Sequence, residues 1–352
     1  MADCNTAALV SGDGSIDWLC FPRYDSPSVF GRLLDPSAAH WSIQPVGRWT
    51  TERRYESGTL VIATEFTTSH GVFRVVDALA FAPGQRGHEL GLDAPHEILR
   101  LVEGVRGEVD VAMSFGPRPE YGLSDPFIVR DGPLLRTRGG PSRLVMSCPV
   151  DVEIDGSDAT ARFTMRQDES VGFALSWGPL SRPPPQPTSS RDVADALKDC
   201  KAAWRSWESE HDIYEGPSRE LVKLSSRVLK GLTFRPTGAI VAAPTTSLPE
   251  TIGGERNWDY RFAWIRDSSL TLEALWVGTC SDEVENFVDW MVASAGGHAH
   301  TDRPLQIMYG VGGEIDLTER ELPHLQGWRN SRPARVGNAA WRQTNSTSTA
   351  RR

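Results

Sequence analysis

Apolar and polar positions alternate in short runs along the first half of the chain. Thr59–Phe66 (TLVIATEF) and Val72–Leu79 (VFRVVDAL) are rich in β-branched and aromatic residues, and Thr67-Thr68-Ser69-His70-Gly71 joins them as a hairpin loop. Glu97–Val105 and Val109–Phe115 form a second pair about Arg106-Gly107, and Ala161–Met165 with Val171–Trp177 form a third. Asp13-Gly14-Ser15 followed by Ile16–Leu19 adds one more turn and strand. Short strands separated by turn signals predict an antiparallel β-sandwich over residues 1–180.

The period then changes. Ser181–Ser190 (SRPPPQPTSS) holds three consecutive prolines, which neither donate to a ladder nor sit inside a helix, so it predicts an extended spacer. After it Val193, Ala196, Leu197, Cys200, Trp204 and Trp207 recur at helical steps. Ser218–Leu232, Ser268–Val277 and Asp282–Ser294 predict three further helices. The expected organisation is β first and α second: a sandwich at 1–180, a linker and linker helix at 181–215, helices over 216–341, and a polar tail at 342–352 without a packing face. Trp204 and Trp207 are expected to anchor the linker helix on the sandwich.

Charge narrows the function classes. Lys plus Arg is 37 and Asp plus Glu is 46, a net charge of −9. That balance argues against a nucleic-acid binder, which needs a basic patch, and against an anionic-membrane binder. No apolar run approaches the roughly 20 residues that span a bilayer. The start, Met-Ala-Asp-Cys-Asn, lacks the build of a signal peptide. Five scattered cysteines without a Cys-x-x-Cys pair suggest neither a disulfide framework nor a zinc site, so a cytoplasmic setting is expected. His298 and His300 flank Ala299 near Asp302, a set too small for a metal centre.

Candidate chemistry concentrates in Pro249–Asp267 (PETIGGERNWDYRFAWIRD). Two Trp, one Tyr, three Arg and four acids in such a run suit a polyhydroxylated ligand, with charged groups on hydroxyls and aromatic faces on the apolar side of a sugar. The plainer alternative is a helix-connecting loop with salt bridges, in which Asp267 is the N-cap of a helix beginning at Ser268. Glu314, Asp316, Glu319 and Glu321 read as a solvated helix face.

Longer strings add a resemblance. Asp3–Arg23 (DCNTAALVSGDGSIDWLCFPR), Glu250–Gly254 (ETIGG), Asn257–Arg261 (NWDYR), Trp264–Asp267 (WIRD), Leu305–Gly310 (LQIMYG) and Ser331–Ala340 (SRPARVGNAA) are similar to bacterial members of glycoside hydrolase family 15. That family includes glucoamylases, α-glucosidases and trehalases, and the opening block looks most like the trehalase-like branch. The resemblance implies a β-sandwich followed by an (α/α) barrel, incomplete here, with the active site in the barrel mouth. By the same resemblance Arg266 and Asp267 grip hydroxyls of a terminal glucose, Trp258 and Asp259 line that pocket, and Arg332 and Trp328 belong to the next substrate-facing loop.

The implied reaction is inverting hydrolysis of a terminal α-glucosidic bond in trehalose, maltose or an α-glucan end. One carboxyl protonates the leaving oxygen and the other activates water. Asp267 fits neither role, because a carboxylate beside an arginine is held ionised, which suits hydroxyl binding. Both catalytic glutamates of the family lie beyond the block that ends here at Ala340, so no catalytic residue is assigned. The expectation is a truncated, inactive hydrolase whose helix stripe at Leu221, Leu224 and Val228 lacks partners. The alternative is a non-catalytic glucan- or disaccharide-binding protein. Some trehalase-like members depend on phosphate and magnesium, but no site for either is legible. No cofactor is expected, and nothing in the sequence sets an oligomeric state.

Overall fold

A computed structural model describes residues 1–278, 280–299 and 305–343. The side chain of His298, together with His300, Asp302 and the tail from residue 344, lies outside the described residues. The first half forms a fourteen-stranded antiparallel sheet. Its strands are β1 (Ala8–Val10), β2 (Ile16–Cys20), β3 (Ser28–Phe30), β4 (His40–Pro45), β5 (Thr50–Tyr55), β6 (Ile62–Thr67) and β7 (Gly71–Leu79), then β8 (Glu97–Gly116), β9 (Phe127–Asp131), β10 (Leu134–Arg138), β11 (Ser142–Ser147), β12 (Glu153–Asp155), β13 (Asp158–Arg166) and β14 (Ser170–Pro179).

β8 corrects one expectation. Glu97–Val105 and Val109–Phe115 are not two arms of a hairpin but one strand of 20 residues. Its first half pairs with β7 and β14, and its second half with β4 and β13. The strand thus passes from one wing of the sheet to the other, and both wings share the core of Trp41, Phe66, Phe73, Phe115 and Phe173. The glycines that resemble a turn make a kink. A β-carbon at Gly104 would lie 1.9 Å from the Arg166 carbonyl oxygen, and Gly107 adopts φ +69. Glycine inside a strand marks such bends and close approaches as readily as a reversal.

The extended segment after β14 ends at Ser189, which caps α1 (Ser190–Glu210). The Ser189 hydroxyl accepts from the Asp192 amide, and the Asp192 carboxylate accepts from the Ser189 amide at 2.9 Å, a reciprocal capping box. α1 buries Val193, Leu197, Cys200, Trp204 and Trp207. Trp204 meets Phe81 edge-on at 5.5 Å, so the linker helix is anchored as its pattern predicts. The other helices are α2 (Arg219–Gly231), α3 (Ile265–Val277) and α4 (Ser281–Ala299). A second core joins sheet and helices through Leu60, Val76, Leu99, Trp204, Phe234, Leu275 and Phe287.

The outer faces of these helices carry uncovered apolar side chains, with Leu221 65%, Leu270 65%, Trp276 68% and Val292 63% exposed. On the α2 stripe Leu221 and Val228 are exposed, whereas Leu224 is half-buried. None of the described helices is long and apolar enough to cross a membrane. All five cysteines are buried and free of disulfides.

The acidic run Glu314–Glu321 is not a helix face. It is a loop ending in a two-residue strand, Arg320–Glu321, paired with Arg335–Val336. Gly310, Gly312 and Gly313 disfavour a helix there, and the acids find distant partners: Glu314 meets Arg23 at 2.8 Å and Glu319 meets Arg335 at 3.3 Å.

Asp3 carries a pH dependence. It is fully buried, and its Oδ1 accepts from the amides of Asn5 and Thr6 at 2.9 and 2.8 Å, while Oδ2 has no partner. Burial pushes its carboxyl up to about 7, against the opposing pull of those amides. The unfolded chain releases this proton near pH ~4 and the folded chain near 7, so between those values the folded state holds more protons. Stability therefore falls as pH rises through that window, by up to about 1.4 kcal/mol per pH unit. Asp3→Asn is expected to flatten this fall, read from urea midpoints at pH 5 and pH 8. Parallel pH curves for the two proteins would refute it.

Candidate functional site: an aromatic cavity at the start of α3

The dense segment around Asn257–Asp267 is held by backbone pairing to both of its neighbours. Ala242 and Ala243 donate to Phe262 and Tyr260 at 3.1 and 2.9 Å, and Ser247 donates to Trp258 at 2.9 Å. Ala263–Trp264 pairs with Met308–Tyr309, and Ile265 donates to Ile307 at 3.0 Å. α3 then begins at Ile265 with Trp264 at its cap. Asp267 is accordingly not the N-cap of a helix starting at Ser268. It sits within the first turn, where a carboxylate complements the helix dipole.

Beside this turn lies a cavity of about 420 Å³ lined by Trp258, Tyr260, Trp264, Arg266, Ile307, Asn338, Ala339, Ala340 and Gln343. The Tyr260 and Trp264 rings are 6.2 Å apart, and the Arg266 guanidinium lies 5.7 Å from the Trp264 ring. Arg266 Nε donates to Asp267 Oδ1 at 2.8 Å. Its side chain is otherwise 76% exposed, leaving donors available to a ligand. Arg335 covers one face of Trp258 at 5.0 Å. The Trp264 indole nitrogen is buried without a hydrogen-bond partner. Burial, and then the charges of Glu250 and Asp267, push the Tyr260 phenol above its ordinary value, so it stays neutral and able to donate. The wall therefore offers aromatic faces with several donors. Among the described residues no carboxylate lines it.

The remaining sequence candidates fall elsewhere. Asp259 is fully buried. Its oxygens accept from Arg261 Nε and Nη2 at 2.9 and 2.7 Å and from the Gly337 amide at 3.0 Å, and its carbonyl accepts from Asn338 Nδ2. It has no surface to offer a ligand, and the expectation that it lines the pocket is corrected: it lies beneath the pocket and fixes the Gly337–Asn338 wall. Trp328 and Arg332 belong to a neighbouring loop and do not line the cavity. That loop is tied to the segment before Trp258: Ser331 Oγ accepts from the Gly253 amide at 2.9 Å, and Asn257 Nδ2 donates to the Pro333 carbonyl at 3.2 Å. Tyr260, Trp264, Arg335 and Asn338 were not singled out, although all stand in strings that carry the resemblance.

Residues 1–179 match the trehalase-like N-terminal family, and residues 216–344 match glycosyl hydrolases family 15. The chain belongs to glycosyl hydrolases family 15. It is 40% identical to the trehalase of Mycolicibacterium smegmatis, over 97% of this chain and 53% of that protein. It is 38% identical to the trehalase of Mycobacterium tuberculosis, over 97% and 52%. Trehalase 1 of Sulfolobus acidocaldarius is 34% identical, over 95% and 54%. The chain thus spans about half the length of the curated relatives it matches. A solved putative kojibiose phosphorylase from human microbiome overlays with a TM-score of 0.45 at 10% identity, over 89% of this chain and 50% of that one. That likeness is too loose to bear on function.

Proposed function

We propose that this chain carries the glucose-binding part of a trehalase-type family 15 hydrolase. The terminal glucose of an α-glucoside, trehalose before maltose or an α-glucan end, enters the cavity beside α3. Arg266 and Asp267 grip its hydroxyls, and Trp258 and Tyr260 cover its apolar face. The observation that carries this reading is Arg266 on an aromatic wall, joined at 2.8 Å to Asp267 beside the cavity. Arg332 and Trp328 are proposed to meet the second sugar from their adjoining loop. α2, α3 and α4 are proposed as the first helices of an incomplete (α/α) barrel that follows a β-sandwich at 1–180 and a linker at 181–215. Their uncovered apolar faces support this.

Inverting hydrolysis needs an acid and a base about 6.5–9.5 Å apart on opposite sides of the bond. The cavity wall presents no carboxylate among the described residues, so the chain is proposed to bind without hydrolysing. The same observation favours the alternative, a non-catalytic disaccharide-binding protein. Hydrolysis gained on mixing with the remainder of a relative's length would exclude that alternative.

Titration with trehalose, followed by tryptophan fluorescence and calorimetry, tests the binding. Asp267→Ala is expected to weaken it at least about tenfold, since a charged hydrogen-bond partner contributes about 1.5–3 kcal/mol. No signal from folded protein, or unchanged affinity in the variant, would overturn the assignment. Glucose released at enzyme-like rates would overturn the proposed lack of hydrolysis.

A further inference from the structure

Two charged side chains that do not line the cavity hold two residues that do. Arg335 lies against the Trp258 ring, and Glu319 bonds the Ala339 amide. The two also meet each other, with Arg335 Nε 3.3 Å from Glu319 Oε1.

Arg335 is fixed at both ends. It stands in the two-residue strand Arg335–Val336, opposite Glu321. Its amide donates to Ser247 Oγ at 2.6 Å, and its carbonyl accepts from Thr246 Oγ1 at 2.6 Å. The Ser247 amide donates in turn to the Trp258 carbonyl at 2.9 Å. The backbones of Arg335 and Trp258 therefore hang on the same buried pair, Thr246 and Ser247. At the other end Nη1 donates to the Glu255 carbonyl at 2.7 Å, and Nη2 lies 3.6 Å from Glu321 Oε1. The guanidinium lies 5.0 Å from the Trp258 ring, on a side chain only 13% exposed. A rigid guanidinium plane tied along its edge in this way has little freedom to leave the ring. The attraction of the cation for the ring face holds the indole in return, and more strongly where water is excluded.

Glu319 divides its oxygens. Oε1 faces Arg335, and Oε2 accepts from the Ala339 amide at 3.2 Å. Ala339 begins the short turn Ala339–Arg342, which Asn338 caps by accepting from the Ala340 amide at 3.0 Å. Trp258, Ala339 and Ala340 all line the cavity. A continuous chain of contacts thus runs from Trp258 through Arg335 and Glu319 to Ala339. We propose that Arg335 and Glu319 are positioning residues of this cavity, fixing the Trp258 ring and the Ala339 turn at one spacing and so setting its affinity for a saccharide. Walls held before the ligand arrives spare the ordering cost of binding. The proposal takes its ligand from the sugar reading above, but not its geometry.

The test uses protein carrying fluorinated tryptophan, with the Trp258 fluorine resonance identified by its loss in Trp258→Leu. Arg335→Met is expected to move that resonance and to weaken trehalose binding, measured by calorimetry, at least about threefold. Glu319→Ala is expected to move the same resonance, because it frees the guanidinium. Arg335→Lys keeps the charge without the planar fork and is expected to restore part of the affinity. Arg256→Ala removes an exposed arginine of the same segment and is expected to change neither readout. In a Trp258→Leu background, Arg335→Met is expected to cost less affinity than in the parent, as coupled residues do. Urea midpoints confirm that each variant is folded, and Arg335→Lys carries the comparison if Arg335→Met is not. An unmoved Trp258 resonance, or an equal loss of affinity with and without Trp258, would overturn the proposal. A parent that binds no trehalose would overturn the sugar reading instead, and the Trp258 resonance would then decide the positioning alone.

Discussion

Asp259→Ala is expected to remove about 3–5 kcal/mol of stability, the usual effect of stripping one partner from a buried ion pair. Arg261 and Asp259 are 1% and 0% exposed. Opposing forces act on the guanidinium: burial disfavours its charge, and the Asp259 carboxylate restores it, holding Arg261 well above its ordinary value. Without that carboxylate the charge stays buried and uncompensated. Arg261 also donates to the Ser26 carbonyl at 2.8 Å and to the Tyr121 hydroxyl at 2.9 Å. The pair therefore fastens the cavity segment to the sheet half of the protein. Its loss frees the Gly337 amide and loosens the wall at Asn338, so the proposed trehalose binding is expected to weaken along with the stability. Urea unfolding of Asp259→Ala and of Asp259→Ala/Arg261→Met checks the cause. The double variant is expected to recover part of the loss. A single variant within about 1 kcal/mol of the parent would show that the pair is not the fastening.

Asp77→Ala is the second large effect, again about 3–5 kcal/mol. Asp77 and Arg100 face each other across β7 and β8 with both side chains fully buried. Arg100 Nε donates to Asp77 Oδ1 at 2.8 Å, its other nitrogens reach the carbonyls of Trp41 and Gly14 at 2.7 and 2.5 Å, and its guanidinium lies 5.0 Å from the Trp41 ring. The two partners differ in how they respond to losing the other. Arginine stays charged, whereas a buried aspartate can take up a proton. Burial already raises Asp77 above its usual value despite the opposing charge of Arg100. Arg100→Leu is therefore expected to cost less at pH 5 than at pH 8, as protonation neutralises the stranded Asp77. The cost of Asp77→Ala should not shrink in that way. Equal pH dependence of the two costs, measured by urea unfolding, would sink this account.

The helices were legible because their information is local. The three- and four-residue steps from Val193 to Trp207 mark the buried face of α1, and Ser189 with Asp192 supplies its cap. β8 was not legible in the same way. A kinked strand and a hairpin share the same alternation about a glycine, and only the partners on each side separate them. The acidic run at Glu314–Glu321 misled as to the helix only: its acids are largely exposed as expected, but they stand on a loop fixed by Glu314 on Arg23 and Glu319 on Arg335.

For the site, Arg266, Asp267 and Trp258 were readable as residue types suited to a sugar, and the family was readable from long strings. Depth was not. Asp259 and Asp267 stand in the same run, yet one is buried under Arg261 and Gly337 and the other lies beside the cavity. By itself the sequence determined the order of β then α, the helix positions and the family, because periodicity, caps and motif strings act over a few residues. The tertiary structure alone decided that β8 crosses between wings and that Asp259 supports the cavity instead of lining it. Each of these depends on contacts between segments far apart in the chain, and no local pattern encodes which distant partner closes on which.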